Sequence, residues 1–134
     1  MFLGYTKNLL CFLISFILFK PKDIVSGDFY FFSEKYANAR NKNGDVIIAA
    51  VDCTGHGVPG AFMSVLNSSF LNEAINEKNI TEPHLILNYV RERLILSVSA
   101  DGGKDGMDCT LIRIGNQESG IKMDYASANN KPLH

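Results

Sequence analysis

Apolar positions along this chain fall first into short blocks and then into a helical spacing. Leu13 to Lys20 is a nearly unbroken apolar run ended by Pro21, and it reads as a strand. Asp28 to Ser33 (DFYFFS) is aromatic and predicts a second strand. Asn41 to Gly44 (NKNG) contains an Asn-Gly pair, the strongest hairpin signal in the chain. Asp45 to Asp52 (DVIIAAVD) is a continuous apolar run, the pattern of a strand buried on both faces. After Gly55, Gly57 and Gly60 the spacing changes: Phe62, Leu66, Phe70 and Ala74 step by four, with Val65 beside them. An amphipathic helix is expected from Pro59 to about Glu77, with Pro59 at its start. Thr81 can cap a second helix with Pro83 in its first turn, and Ile86, Tyr89, Val90 and Leu94 mark its buried face. Asp101 to Gly106 (DGGKDG) reads as a loop. Met107 to Ile114 and Ile121 to Ser127 read as strands joined by a polar turn around Asn116 to Gly120.

The order is strand, strand, strand, helix, helix, strand, strand. The helices are adjacent and do not alternate with strands, so the fold class is α+β, one helical layer on antiparallel sheet. The N-terminal segment has a second reading. Leu9 to Phe19 (LLCFLISFILF) is almost wholly apolar over 11 residues, short of the roughly 20 that a membrane helix needs. No small-residue cleavage site follows it. A buried strand is the preferred reading; a targeting or membrane segment is the alternative.

Composition narrows the classes. A chain of 134 residues is at most one domain. With 46% hydrophobic and 20% charged residues it is ordinary globular material. A net charge of -1 gives no basic footprint for nucleic acid. The three cysteines (Cys11, Cys53, Cys109) include no CxxC pair, which argues against a disulfide framework or a zinc ribbon. A reduced, cytoplasmic setting is expected.

Two aspartates stand out. Asp28 follows Ser26-Gly27 at the start of a strand, and Asp52 closes the long apolar strand and opens a glycine-rich loop. Carboxylates at adjacent strand ends repel each other unless one is protonated or a cation lies between them. Oxygen donors select magnesium, manganese or calcium. The plainer alternative is that each aspartate caps a turn beside glycine. In Asp52-Cys53-Thr54-Gly55-His56-Gly57 the glycines allow close backbone approach, and the start of the following helix favours phosphate. His56 could give a proton to a leaving group, or simply hydrogen-bond the turn. Asp105 and Asp108 are further acidic candidates, read as structural because their segment leads into a strand.

Four segments together resemble one family: KPKDIVSGDFYF (20–31), VDCTGHGVPGAFM (51–63), DGMDCTL (105–111) and YASANNKPL (125–133). They are similar to motifs of the SpoIIE-type serine phosphatases of bacteria, in the metal-dependent (PPM, protein phosphatase 2C-like) superfamily. The resemblance runs from about Phe16 to His134. It implies an α-β-β-α sandwich with a two-metal Mn²⁺ or Mg²⁺ centre, whose activated water attacks phosphoserine or phosphothreonine. It implies that Asp28 is a metal ligand, that Asp52 bridges the two metals, and that the backbone carbonyl of Cys53 is a further ligand. His56 falls where some relatives carry another polar residue. Lys20 and Lys22 are candidates to attract the phosphate, against the plainer reading of solvated lysines.

The family's later Asp-Gly motif and terminal acidic pair have no counterpart before His134. The expectation is therefore an incomplete sandwich: residues 1–13 unassigned, then 14–134 as a partial domain lacking its C-terminal third, inactive by itself. The implied partner is a phosphorylated signalling protein, such as an anti-sigma-factor antagonist. Relatives carry sensor domains, and none is recognised here. Two other functions compete: a non-catalytic module that binds a phosphoprotein, and a membrane-tethered fragment resting on Leu9 to Phe19.

Overall fold

In a computed structural model of the chain, the structure describes residues 17–20, 25–35, 44–98, 105–117 and 120–129. Four strands form one antiparallel sheet in the order β1-β2-β3-β4: β1 Phe29–Lys35, β2 Asp45–Cys53, β3 Met107–Gln117 and β4 Gly120–Ala128. Between β2 and β3 run α1 (Gly57–Asn72), a π-turn (Glu73–Glu77) and α2 (Pro83–Val98). The fold is α+β, as its element order suggests. Both helices pack on one face of the sheet. The second sheet of the expected sandwich is not among the described residues.

Residues alternate across a strand, so one face of β2 (Ile47, Ala49, Val51, Cys53) lies under the helices with Leu111 and Cys109 of β3. Fully burying side chains such as Ile47, Leu71, Ile86 and Leu111 stabilises the fold by about 1.5–3 kcal/mol each. The opposite face of β2 is more open. Val46 is buried there, Ile48 half-buried, and Ala50 and Asp52 exposed, so β2 is buried on both faces only near its Asp45 end.

Several expectations are corrected. Residues 17–20 join no strand, and 13–16 lie outside the described residues. Phe19 instead meets the Tyr30 ring edge-on at 6.0 Å between centroids. The described β1–β2 register ends at Lys35 and Asp45, and of the expected Asn41 to Gly44 turn only Gly44, at φ 72°, is among the described residues. Residues 41–43 of that turn, 101–104 of the DGGKDG loop, and most of Leu9 to Phe19 are outside the described residues. Among the described residues no helix is long and apolar enough to cross a membrane.

Helix α1 starts at Gly57, so Pro59 falls within the first turn, where its missing N–H costs nothing. Its buried stripe is Gly60, Met63, Asn67, Phe70 and Leu71. Phe62 and Val65, expected inside, are 62% and 65% exposed. The helix is rotated because Gly60 is drawn against backbone, as described below. After the π-turn, Asn79 takes a left-handed φ of 54° and Ile80 N–H bonds the Ala74 carbonyl, closing the helix. In α2 the first helical bond runs from Ile86 N–H to the Glu82 carbonyl. The cap position is thus Glu82, one residue beyond Thr81. Ile86, Val90 and Leu94 are buried as their spacing predicts.

Candidate functional site

Strand register gathers the acidic residues. In β2 the inward residues are Val51 and Cys53, so Asp52 points to the other face and is exposed. Phe29 pairs with Val51, which sets Asp28, one step earlier, opposite Asp52. On the other side Asp52 pairs directly with Asp108 at the start of β3. Three aspartates therefore form a row across three strand ends. A hydrogen bond with the Asp28 carboxyl, then partial burial, then the charges of Asp28 and Asp108 hold the Asp52 carboxyl above its usual range.

Asp108, read from the sequence as structural, lies beside Asp52 in the structure. Its Oδ1 accepts a hydrogen bond from Asn129 Nδ2 at 2.8 Å, and Asn129 sits just past β4 with a left-handed φ of 62°. Both border a cleft of about 350 Å³, together with Asp52, Cys53, Thr54, Gly55, Gly106 and Met107. The signal in the sequence is a carboxylate two residues after Gly106, near the start of a strand. What brings it opposite Asp52 is register, which no local pattern reveals.

The loop after Asp52 is held by backbone. Thr54 N–H and Oγ1–H both donate to the Gly106 carbonyl, at 3.0 and 2.8 Å, and Gly106 N–H donates back to Thr54 Oγ1 at 2.6 Å. Gly55, at φ 90°, then turns the chain toward α1. A Cβ on Gly60 would lie 2.7 Å from the Gly55 carbonyl oxygen, and a Cβ on Gly27 would lie 3.0 Å from the Cys53 oxygen. Gly60 and Gly27 let backbone meet backbone.

Of the remaining candidates, Cys53 has its side chain buried while its residue borders the cleft. His56 occupies the N-cap position of α1 with extended backbone and no side-chain capping bond. It is exposed and does not border the cleft. Lys20 is exposed and outside the sheet, and Lys22 lies outside the described residues. Inside the core, Asn67 is fully buried, and its Nδ2 donates to Cys53 Sγ at 3.3 Å and to the Met63 carbonyl at 3.0 Å.

The chemistry of Asp28 and Asp52 fits a hard divalent cation. Two carboxyl groups in contact, one of them holding its proton more tightly than usual, form a donor pair that an ion can take over. Among the described residues no group of three or more His, Cys, Asp or Glu side chains is arranged to hold a metal ion.

A solved structure, the SiaA-PP2C domain of Pseudomonas aeruginosa, is similar to this chain at 35% identity and a TM-score of 0.59. The match covers 75% of this chain and 36% of that one, so the chain spans about a third of the solved relative's length. No family model matches the chain, and no curated protein matches it. The described residues have a PP2C-like fold.

Proposed function

We propose that this chain carries part of a metal-dependent phosphoprotein phosphatase site. The observation that carries the reading is the contact between the Asp28 and Asp52 carboxyls at adjacent strand ends. The 35% identity to a PP2C domain supports it. In this reading Asp28 and Asp52 hold Mn²⁺ or Mg²⁺, with the Cys53 backbone carbonyl as a further ligand. When bound, the ion supplies a nucleophilic water and offsets charge on the phosphate. Thr54 and Gly106 keep the loop in place, and the cleft beside Asp52 and Asp108 leaves room for a phosphorylated side chain. The substrate class is a phosphoserine or phosphothreonine protein of bacterial signalling, such as an anti-sigma-factor antagonist. His56 as proton donor, and Lys20 and Lys22 as phosphate attractors, belong to the same proposal.

A second reading is favoured by one observation: the described residues contain no three-ligand cluster. It makes the chain a phosphatase-like module that binds a phosphoprotein without turnover. Titration with Mn²⁺, followed by hydrolysis of para-nitrophenyl phosphate, separates the two. Mn²⁺ uptake lost in Asp28→Asn and in Asp52→Asn, with chelator-sensitive hydrolysis, supports the enzyme. Phosphoprotein binding indifferent to both substitutions, with no Mn²⁺ uptake, overturns it.

A further inference from the structure

Asn67 is out of place by ordinary stability reasoning. It stands mid-helix in α1 at 0% exposure, among Met63, Phe70 and Leu71. Asparagine is a poor helix former, and its Oδ1 has no hydrogen-bond partner among the described residues. Orphaned buried acceptors are few in folded proteins because they forfeit their hydration. Leucine, with the same branched outline though a larger volume, carries no polar atom to leave unpaired. What leucine cannot make is the hydrogen bond from Nδ2 to Cys53 Sγ.

That bond reaches the residue next to Asp52. Cys53 is gripped on both sides: Asn67 holds its sulfur from within the core, and Gly27 lies against its carbonyl oxygen. The same residue ends β2, so its placement sets the direction of the Asp52 carboxyl and of its own carbonyl. The second bond from Nδ2, to the Met63 carbonyl, fixes the amide to its helix. A rigid helix thereby registers the strand end.

We propose that Asn67 is a positioning residue, acting through Cys53 to place Asp52 and the Cys53 carbonyl for a divalent cation. The inference rests on the metal-site reading above, and its test separates the failure of one from the failure of the other.

The test uses the full chain and Mn²⁺ itself, with binding read by electron paramagnetic resonance and stability by thermal unfolding without metal. Asn67→Leu is expected to bind Mn²⁺ about tenfold more weakly, the loss of one well-placed hydrogen bond, with its thermal unfolding read alongside because the larger leucine must be accommodated in a packed site. Cys53→Ala is expected to match it, and Cys53→Ser, whose hydroxyl can still accept from Nδ2, to retain affinity. Adding Asn67→Leu to Cys53→Ala is expected to change nothing more.

A second readout needs no metal. Exchange of the Thr54 amide, bonded to the Gly106 carbonyl, is expected to quicken in Asn67→Leu. Should Asn67→Leu fail to fold, Cys53→Ala against Cys53→Ser decides. If wild type takes up no Mn²⁺, the functional reading falls and amide exchange alone decides the positioning claim. Wild-type affinity together with wild-type exchange in Asn67→Leu, or additive effects in the double variant, overturns it.

Discussion

Asp52 and Asp108 are direct cross-strand partners at the open end of the β2–β3 ladder. Like charges in that arrangement oppose pairing by roughly 0.2–1 kcal/mol. Asp108→Asn should therefore stabilise the metal-free chain by up to about 1 kcal/mol, since asparagine can still accept from Asn129. Urea unfolding in the presence of a chelator measures it. A loss of stability would show that the Asn129 contact outweighs the repulsion.

The loop geometry makes a sharp contrast between two glycines. Gly60→Ala places a methyl 2.7 Å from the Gly55 carbonyl oxygen, against backbone that has little freedom to retreat. It should cost about 1–3 kcal/mol. Gly106→Ala meets nothing within 4 Å and should stay within about 0.5 kcal/mol of wild type. Parallel thermal melts of the two variants check both values.

At the other end of β2, Asp45 is 4% exposed and Arg113 Nη2 lies 3.0 Å from its Oδ2. Removing one side of an ion pair leaves the buried partner's charge less compensated. Arg113→Met should lower stability on the order of 3 kcal/mol without changing Mn²⁺ uptake, because the pair is far along the strand from Asp52. Denaturant titration with and without Mn²⁺ reads the two effects separately.

The two buried thiols predict an alkaline limit. Burial pushes Cys53 up to about 11, against the opposing Asn67 hydrogen bond and with smaller help from the Asp52 and Asp28 charges. Burial, with a smaller effect from Cys53, pushes Cys109 up to about 12. An unfolded thiol ionises near 9.0, so above that pH the unfolded state releases protons that the folded state keeps. The stabilisation is complete below about pH 9 and is lost as pH rises through the folded values. Unfolding free energy should fall steadily from pH 9 to 11, and less steeply in Cys109→Ala. At pH 8 iodoacetamide should label neither thiol in the native chain, as peptide mapping would show.

The elements most legible in the sequence were those set by unbroken local pattern. The apolar run DVIIAAVD gave β2, and Ile86, Val90 and Leu94 gave the face of α2. On α1 and the π-turn after it, Leu66, Phe70 and Ala74 face the core as their spacing predicts, whereas Phe62 and Val65 do not, because Asn67 counts as core and Gly60 steers the helix through a backbone contact, neither of which apolar spacing registers. Asp28 stands out because it follows Gly27 at the start of a strand, and Asp52 because it closes an apolar run ahead of the loop at Gly55. Asp108 is visible as an acidic candidate, but its place opposite Asp52 depends on the β2–β3 register across more than fifty residues of intervening chain.

The central claim is that Asp28 and Asp52 share an ion. Isothermal titration of the chelator-stripped chain with Mn²⁺ tests it most directly. Saturable binding in wild type, weakened at least about tenfold by Asp28→Asn and by Asp52→Asn, is the predicted result, one hydrogen-bonded charge being worth at least that much. No uptake in wild type, or uptake that both substitutions leave unchanged, would contradict it.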